Sequence, residues 1–147
     1  MGFQTDVVIA DINDAQAIAD SDSPASERSG FTFNGFDRVQ LCTLLSLLKS
    51  GDSESHFDRY LDSIEIVRSS IDEWPVVSVV KPVEAADLAL AASLEDQQFD
   101  RLAVSWSETE EFNGWADSDV RILLRELTDL ADSAALQKKC LMIWQSP

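Results

Sequence analysis

The chain is poor in basic residues. Its 147 residues include 11 Lys and Arg against 27 Asp and Glu, so the formal net charge is −16 at pH 7. Acidic residues occur along the whole chain, which makes the charge a property of the entire surface. Such a surface repels nucleic-acid phosphates and anionic lipid, so we expect no nucleic-acid partner and no membrane partner. Simple solubility and a basic protein partner are the two uses of this charge that remain.

Residues that build metal and cofactor sites are also scarce. His56 is the only histidine, and Cys42 and Cys140 are too far apart in sequence to form a ligand pair. The five glycines form no phosphate-binding loop and no Gly-x-Ser-x-Gly elbow. The sequence therefore predicts neither a metal site nor a cofactor.

Both cysteines lie in apolar runs, which is typical of small buried hydrophobic residues rather than of a disulfide framework. No apolar run approaches the ~20 residues of a membrane helix, and the first residues lack the basic region of a signal peptide. We therefore expect a cytoplasmic protein.

One short motif occurs twice. Phe33-Asn34-Gly35-Phe36 and Phe112-Asn113-Gly114-Trp115 share the pattern aromatic-Asn-Gly-aromatic, and each precedes a Leu-rich stretch. The motif predicts two turns that each lead into a buried helix. It also suggests an internal pseudo-twofold repeat with halves 1–73 and 74–147, with coincidence as the alternative because four-residue motifs recur by chance.

The apolar pattern predicts an α+β fold in a single globular domain, residues 1–147, with a small mixed β-sheet covered by several helices. The chain is 45% hydrophobic, which suffices for a core of ordinary size. Three strands are predicted from short apolar or Val-rich runs, with the last one central or covered: 7–10, 75–81 and 140–144. Helices are predicted from apolar residues at helical spacing or from start signals: 14–20, 37–49, 82–92, 99–106 and a last one capped by Asp117 or Ser118. Residues 64–69 fit a helix or a strand, and the repeat favours the strand.

The second turn is the leading candidate for a functional surface. Aromatic side chains surrounded by carboxylates can anchor and steer a basic partner, as in small acidic inhibitor and immunity proteins. The pattern favours the other interpretation, in which the aromatic residues only pack over the end of a helix while the acids are solvated. The residues concerned are Glu110, Glu111, Phe112, Trp115, Asp117 and Asp119.

Asp11 supports a rival hypothesis. It follows the first predicted strand, where some phosphotransferases place a carboxylate, although Asn13 stands where their second Asp would be. Asp11, Asp14 and His56 are therefore the candidate site of an enzyme or small-ligand binder, although ordinary turn chemistry is the favoured explanation of Asp11. A homo-oligomer is a third possibility. We expect a non-enzymatic interaction or regulatory module and leave the question of an enzyme open.

Overall fold

Five strands form one antiparallel sheet in a computed structural model that describes residues 3–147. The strands are β1 (Gln4–Ala10), β2 (Gly30–Asn34), β3 (Glu65–Arg68), β4 (Val76–Val80) and β5 (Cys140–Ser146). Their order across the sheet is β2-β1-β5-β4-β3. The strand alternative for residues 64–69 is therefore confirmed, and the last strand lies at the centre of the sheet as predicted.

Helices contribute more residues than strands among residues 3–147, which confirms the α+β class. They are α1 (Ala15–Ala19), α2 (Pro24–Glu27), α3 (Arg38–Ser50), α4 (Phe57–Ser63), α5 (Pro82–Ala92), α6 (Asp96–Ser107) and α7 (Asp117–Gln137). Single 3₁₀ turns occur at Ile12–Asp14 and Glu110–Phe112. None of the helices within residues 3–147 is long and apolar enough to cross a membrane.

The sheet has a core on each face. The larger core packs Val7, Ile9, Leu141 and Ile143 against α3 to α7, and the smaller core packs Val8, Met142 and their neighbours against α1. Alternate residues of β1 and β5 thus point into opposite cores, which explains the continuous apolar runs at 7–10 and 140–144.

The prediction of a mixed sheet was wrong. β1 and β4 run in the same direction, but β5 lies between them and pairs antiparallel with both. Because β5 occupies that place, no two neighbouring strands are parallel. The strand pattern of the sequence does not reveal this insertion of a distant segment.

The structure does not confirm the internal repeat. Both motif glycines adopt a left-handed backbone, with φ of 84° at Gly35 and 90° at Gly114, so both turns exist. The first turn follows a strand of the sheet, whereas the second follows a 3₁₀ turn. In a true repeat β3 of the first half would correspond to β5 of the second half. However, β3 lies at the edge of the sheet and β5 at its centre.

Helix caps were predicted less well than helices. Ala116 takes the cap position of α7 without a side-chain hydrogen bond, so neither Asp117 nor Ser118 caps that helix. The α3 helix begins instead with a reciprocal cap, in which Asp37 accepts from the Gln40 N–H and the Gln40 side chain accepts from the Asp37 N–H.

Candidate functional site

The two aromatic-Asn-Gly-aromatic turns meet in space. The Phe33 and Trp115 rings stack with centroids 5.8 Å apart and planes 7° apart. Trp115 also packs edge-on against Phe112 at 5.0 Å, and Phe112 packs edge-on against Trp106 at 4.7 Å. Trp106 in turn contacts Phe36 of the first turn at 6.2 Å. Both copies of the motif therefore contribute to one aromatic cluster, in arrangements that aromatic pairs prefer.

Gln40 links this cluster to α3. The Trp106 indole Nε1–H donates to the Gln40 carbonyl oxygen at 2.9 Å, and the Gln40 amide Nε2 donates to the Glu111 carbonyl oxygen at 3.1 Å. Gln40 and Trp106 are both buried. These bonds hold the 3₁₀ turn before Trp115 in a fixed position, because breaking the bond to Glu111 would leave the buried Gln40 amide without its acceptor.

A cavity of about 510 Å³ lies beside this fixed turn, and we call it the acidic groove. Its carboxylates come from the start of α4 and its preceding loop on one wall and from the α6–α7 connection on the other. They are Glu54, Asp58, Glu108, Glu110 and Glu111. No basic side chain lines the groove; its remaining lining is Thr43, Ser53, Phe57 and Thr109. The groove thus concentrates negative charge between low-dielectric walls, which focuses the electrostatic field.

Asp52 organises the wall that carries Glu54. Its carboxylate accepts hydrogen bonds from the Ser55 hydroxyl at 2.6 Å, the Ser55 N–H at 2.7 Å and the Glu54 N–H at 2.9 Å. These bonds lower the pKa of Asp52 to about 2, with the Ser55 hydroxyl as the largest cause. The loop is also tied to α3, because the Ser46 hydroxyl donates to the Asp52 carbonyl oxygen at 2.8 Å.

Three further cavities surround the second turn. One of about 620 Å³ shares Glu108 and Glu110 with the acidic groove and reaches Trp115. One of about 490 Å³ lies on the other side of Trp115 and includes Asp119, and one of about 250 Å³ includes Asp117. The structure therefore gathers Glu110, Trp115, Asp117 and Asp119 around the same indented surface.

The predicted residues differ in accessibility. Phe112 is only 2% exposed, so it supports the turn from within the core and offers no direct contact to a partner. Trp115 and Glu111 are half-buried, and Glu110, Asp117 and Asp119 are exposed. One aromatic face and four carboxylates of the predicted set are thus accessible from solvent.

The rival set is not gathered in the same way. Asp11 is exposed at the start of a 3₁₀ turn, and Asp14 pairs with Arg28 at 3.4 Å. His56 lies before α4, where its N–H donates to the Ser46 hydroxyl and its buried Nδ1 has no partner among residues 3–147. None of these four cavities is lined by Asp11, Asp14 or His56. Across residues 3–147, no group of three or more His, Cys, Asp or Glu side chains has an arrangement that could hold a metal ion.

Sequence reasoning missed the second wall of the groove. Glu54 and Asp58 lie more than 45 positions from Glu108 in the chain, a separation read from their numbers, and no motif connects them. The motif includes Phe33 but does not identify it as the stacking partner of Trp115. The repetition of the motif was the one signal of that contact, since two copies of an aromatic turn can pack on each other.

Comparisons of the chain with protein-family models, with curated proteins and with solved structures gave no match.

Proposed function

We propose that this protein is a non-enzymatic interaction module that binds a basic segment of another protein at the acidic groove. The observation that carries the proposal is the meeting of five carboxylates from two separate parts of the chain in one cavity without a basic side chain. We propose a regulatory or inhibitory role in the cytoplasm, and the two buried, unpaired cysteines suit a reducing compartment.

Charge supports a basic occupant. Carboxylates that share a cavity repel one another, and lysine or arginine side chains of a partner would relieve that repulsion. The overall charge of −16 would also steer a basic partner toward the protein and raise the association rate at low salt.

The rigidity of the groove supports specific binding. The wall with Glu111 is fixed through Gln40 and Trp106, and the wall with Glu54 is fixed through Asp52. Because these walls are held before binding, little conformational entropy would be lost on association. The half-buried Trp115 next to the groove offers an apolar face for the stem of a lysine or the plane of an arginine.

Two matched triple variants test the proposal. Glu108→Gln, Glu110→Gln and Glu111→Gln remove three charges from the groove. Glu126→Gln, Asp129→Asn and Asp132→Asn remove the same charge from exposed positions on α7. The probe is a short peptide of alternating Arg and Gly, titrated by calorimetry at low salt.

We expect the groove variant to bind the peptide about tenfold more weakly, since each exposed ion pair contributes roughly 0.5 kcal/mol. The α7 variant should bind within about twofold of the unmodified protein, because its charges lie elsewhere. Equal weakening in both variants would show attraction by net charge alone. That result, or the absence of binding at low salt, would refute the proposal.

A further inference from the structure

Another cavity, of about 300 Å³, lies where the N-terminus of α3 faces β3, β4 and β5. Arg38 is the first residue of α3, and Arg68 is the last residue of β3. Ser78 on β4 and Gln145 on β5 also line the cavity. This cavity is separate from the acidic groove and shares no lining residue with it.

Two polar side chains of the sheet line this cavity. Ser78 is 1% exposed, and it lies on β4 with its neighbours buried in the sheet. Gln145 is 9% exposed and is held by its amide Nε2, which donates to the Phe36 carbonyl oxygen at 3.3 Å. The sheet therefore supplies the cavity with hydrogen-bonding groups that are buried in place before any ligand binds.

The charge of the cavity is opposite to that of the protein. Arg38 and Arg68 both line it, and neither forms an ion pair within residues 3–147. Asp37 is the one acidic lining residue, and its carboxylate already accepts the Gln40 N–H as the cap of α3. The N-terminus of this 13-residue helix adds partial positive charge. Two guanidinium groups and one carboxylate leave a net charge of +1, which matches a monoanion.

One wall of the cavity is aromatic and partly open to solvent. Phe3 is 37% exposed and Trp74 is 38% exposed, and their rings lie 5.1 Å apart at an angle of 35°. The two rings together form a small apolar patch, and this patch borders the two arginines. The wall fits a flat apolar group that is bonded to the anion.

We propose that this cavity binds a small organic carboxylate with a planar apolar body. Arg38 and Arg68 would donate to the carboxylate oxygens, Ser78 would donate its hydroxyl proton to the same group, and the planar body would pack on Trp74. Arginine suits this role because its fork of N–H groups matches a carboxylate geometrically. The proposal is independent of the acidic groove and of any basic partner.

Three probes test the site: benzoate, its neutral analogue benzamide, and inorganic phosphate. Each is titrated into ¹⁵N-labelled protein while the amide and indole signals are followed by NMR. We expect benzoate to shift the signals of Trp74, Ser78 and the first turn of α3. Benzamide should bind at least about tenfold more weakly, because the charged hydrogen bonds are lost. Phosphate should also bind more weakly, because it lacks the apolar body.

Variants locate the binding. Arg38→Gln and Arg68→Gln should each weaken benzoate about tenfold, whereas Arg101→Gln, at an exposed position on α6, should leave it unchanged within about twofold. Ser78→Ala should weaken it less, by about threefold, since a single neutral donor is removed. Far-UV circular dichroism of each variant verifies that the fold is retained.

Several results would overturn the proposal. The absence of any shift at about 10 mM benzoate, which saturates a millimolar site, is one. Equal binding of benzamide would show recognition of the ring alone, and equal binding of phosphate would show a simple anion site. Unchanged affinity in Arg38→Gln and Arg68→Gln would place the ligand elsewhere.

Discussion

Gly35→Ala tests whether the two aromatic turns meet. Gly35 has φ of 84°, and a Cβ atom at this position would lie 3.2 Å from Cζ2 of Trp115. Gly114→Ala and Gly51→Ala are matched controls, because their φ values are 90° and 80° and an added Cβ would meet nothing within 4 Å. All three substitutions force alanine into the left-handed region, so only Gly35→Ala adds a steric contact.

The magnitudes follow from these geometries. The left-handed backbone costs alanine roughly 1–2 kcal/mol, and the lower entropy of the unfolded chain returns about 0.4–1 kcal/mol. Each control should therefore lower the free energy of unfolding by about 1 kcal/mol. In Gly35→Ala the Trp115 ring must also move by a few tenths of an ångström away from the stacked Phe33, and an aromatic pair contributes about 0.5–1.5 kcal/mol. The total loss should be about 2 kcal/mol.

Urea unfolding followed by circular dichroism measures these differences. A double-mutant cycle adds Trp115→Leu, in which the clash partner is removed. In that background Gly35→Ala should cost about 1 kcal/mol, the same as the controls. If the three alanine variants are equally stable in the presence of Trp115, the contact between the two turns does not exist and the description of the aromatic cluster is wrong.

Three other predictions concern single buried or capping groups. Asp6→Ala should lower the free energy of unfolding by about 3 kcal/mol in urea, because the fully buried carboxylate accepts from the Ala25 N–H and the Thr32 hydroxyl and both donors would lose their partner. Cys42 should not react with a thiol reagent at pH about 8 until the protein unfolds, since burial raises the pKa of its thiol to about 12; rapid labelling of the native protein would contradict this. The chemical shift of the Ser55 amide proton should follow the protonation of Asp52 with a midpoint near pH 2, because the pKa of Asp52 is lowered to about 2. The stabilisation from Asp52 is then complete at pH values above 3.8, the ordinary pKa of an Asp carboxyl, and it is lost as the pH falls through 2. An NMR midpoint near pH 3.8 would contradict the hydrogen-bonded loop.

Elements were predictable where one local pattern dominates. Helix α5 has the predicted bounds because Pro82 fixes its first turn and an apolar face continues to Ala92. Strand β4 followed from its valines, which pack well on a pleated and buried surface. The residues of α1 that pack on the sheet, Ala15, Ile18 and Ala19, recur at helical spacing within the predicted helix 14–20. In each case the local preference and the tertiary environment agree.

Strand order and site composition were not predictable, because both depend on contacts between distant segments. The direction of β5 relative to its neighbours is set by its insertion between β1 and β4, which leaves no trace in the local pattern. The acidic groove joins Glu54 to Glu108 through the packing of α3 against α6, so a scan of the sequence finds only one of its walls. Of the predicted surface, Glu110, Glu111 and Trp115 line cavities beside the second turn. Phe112 lies in the core instead, where its packing fixes the conformation of the turn that carries Trp115.

The central place of β5 has a consequence for biosynthesis. Ribosomes deliver a chain from its N-terminus, so β1 and β4 emerge long before Cys140 to Ser146, the segment that joins them. Until then, the β1–β2 pair and the β3–β4 pair are two separate sheets, each with an open apolar edge that could pair with another nascent chain. Chains that stall before residue 140 should therefore be strongly prone to aggregation. Completion of the sheet is thus postponed until Cys140 to Ser146 have been synthesised.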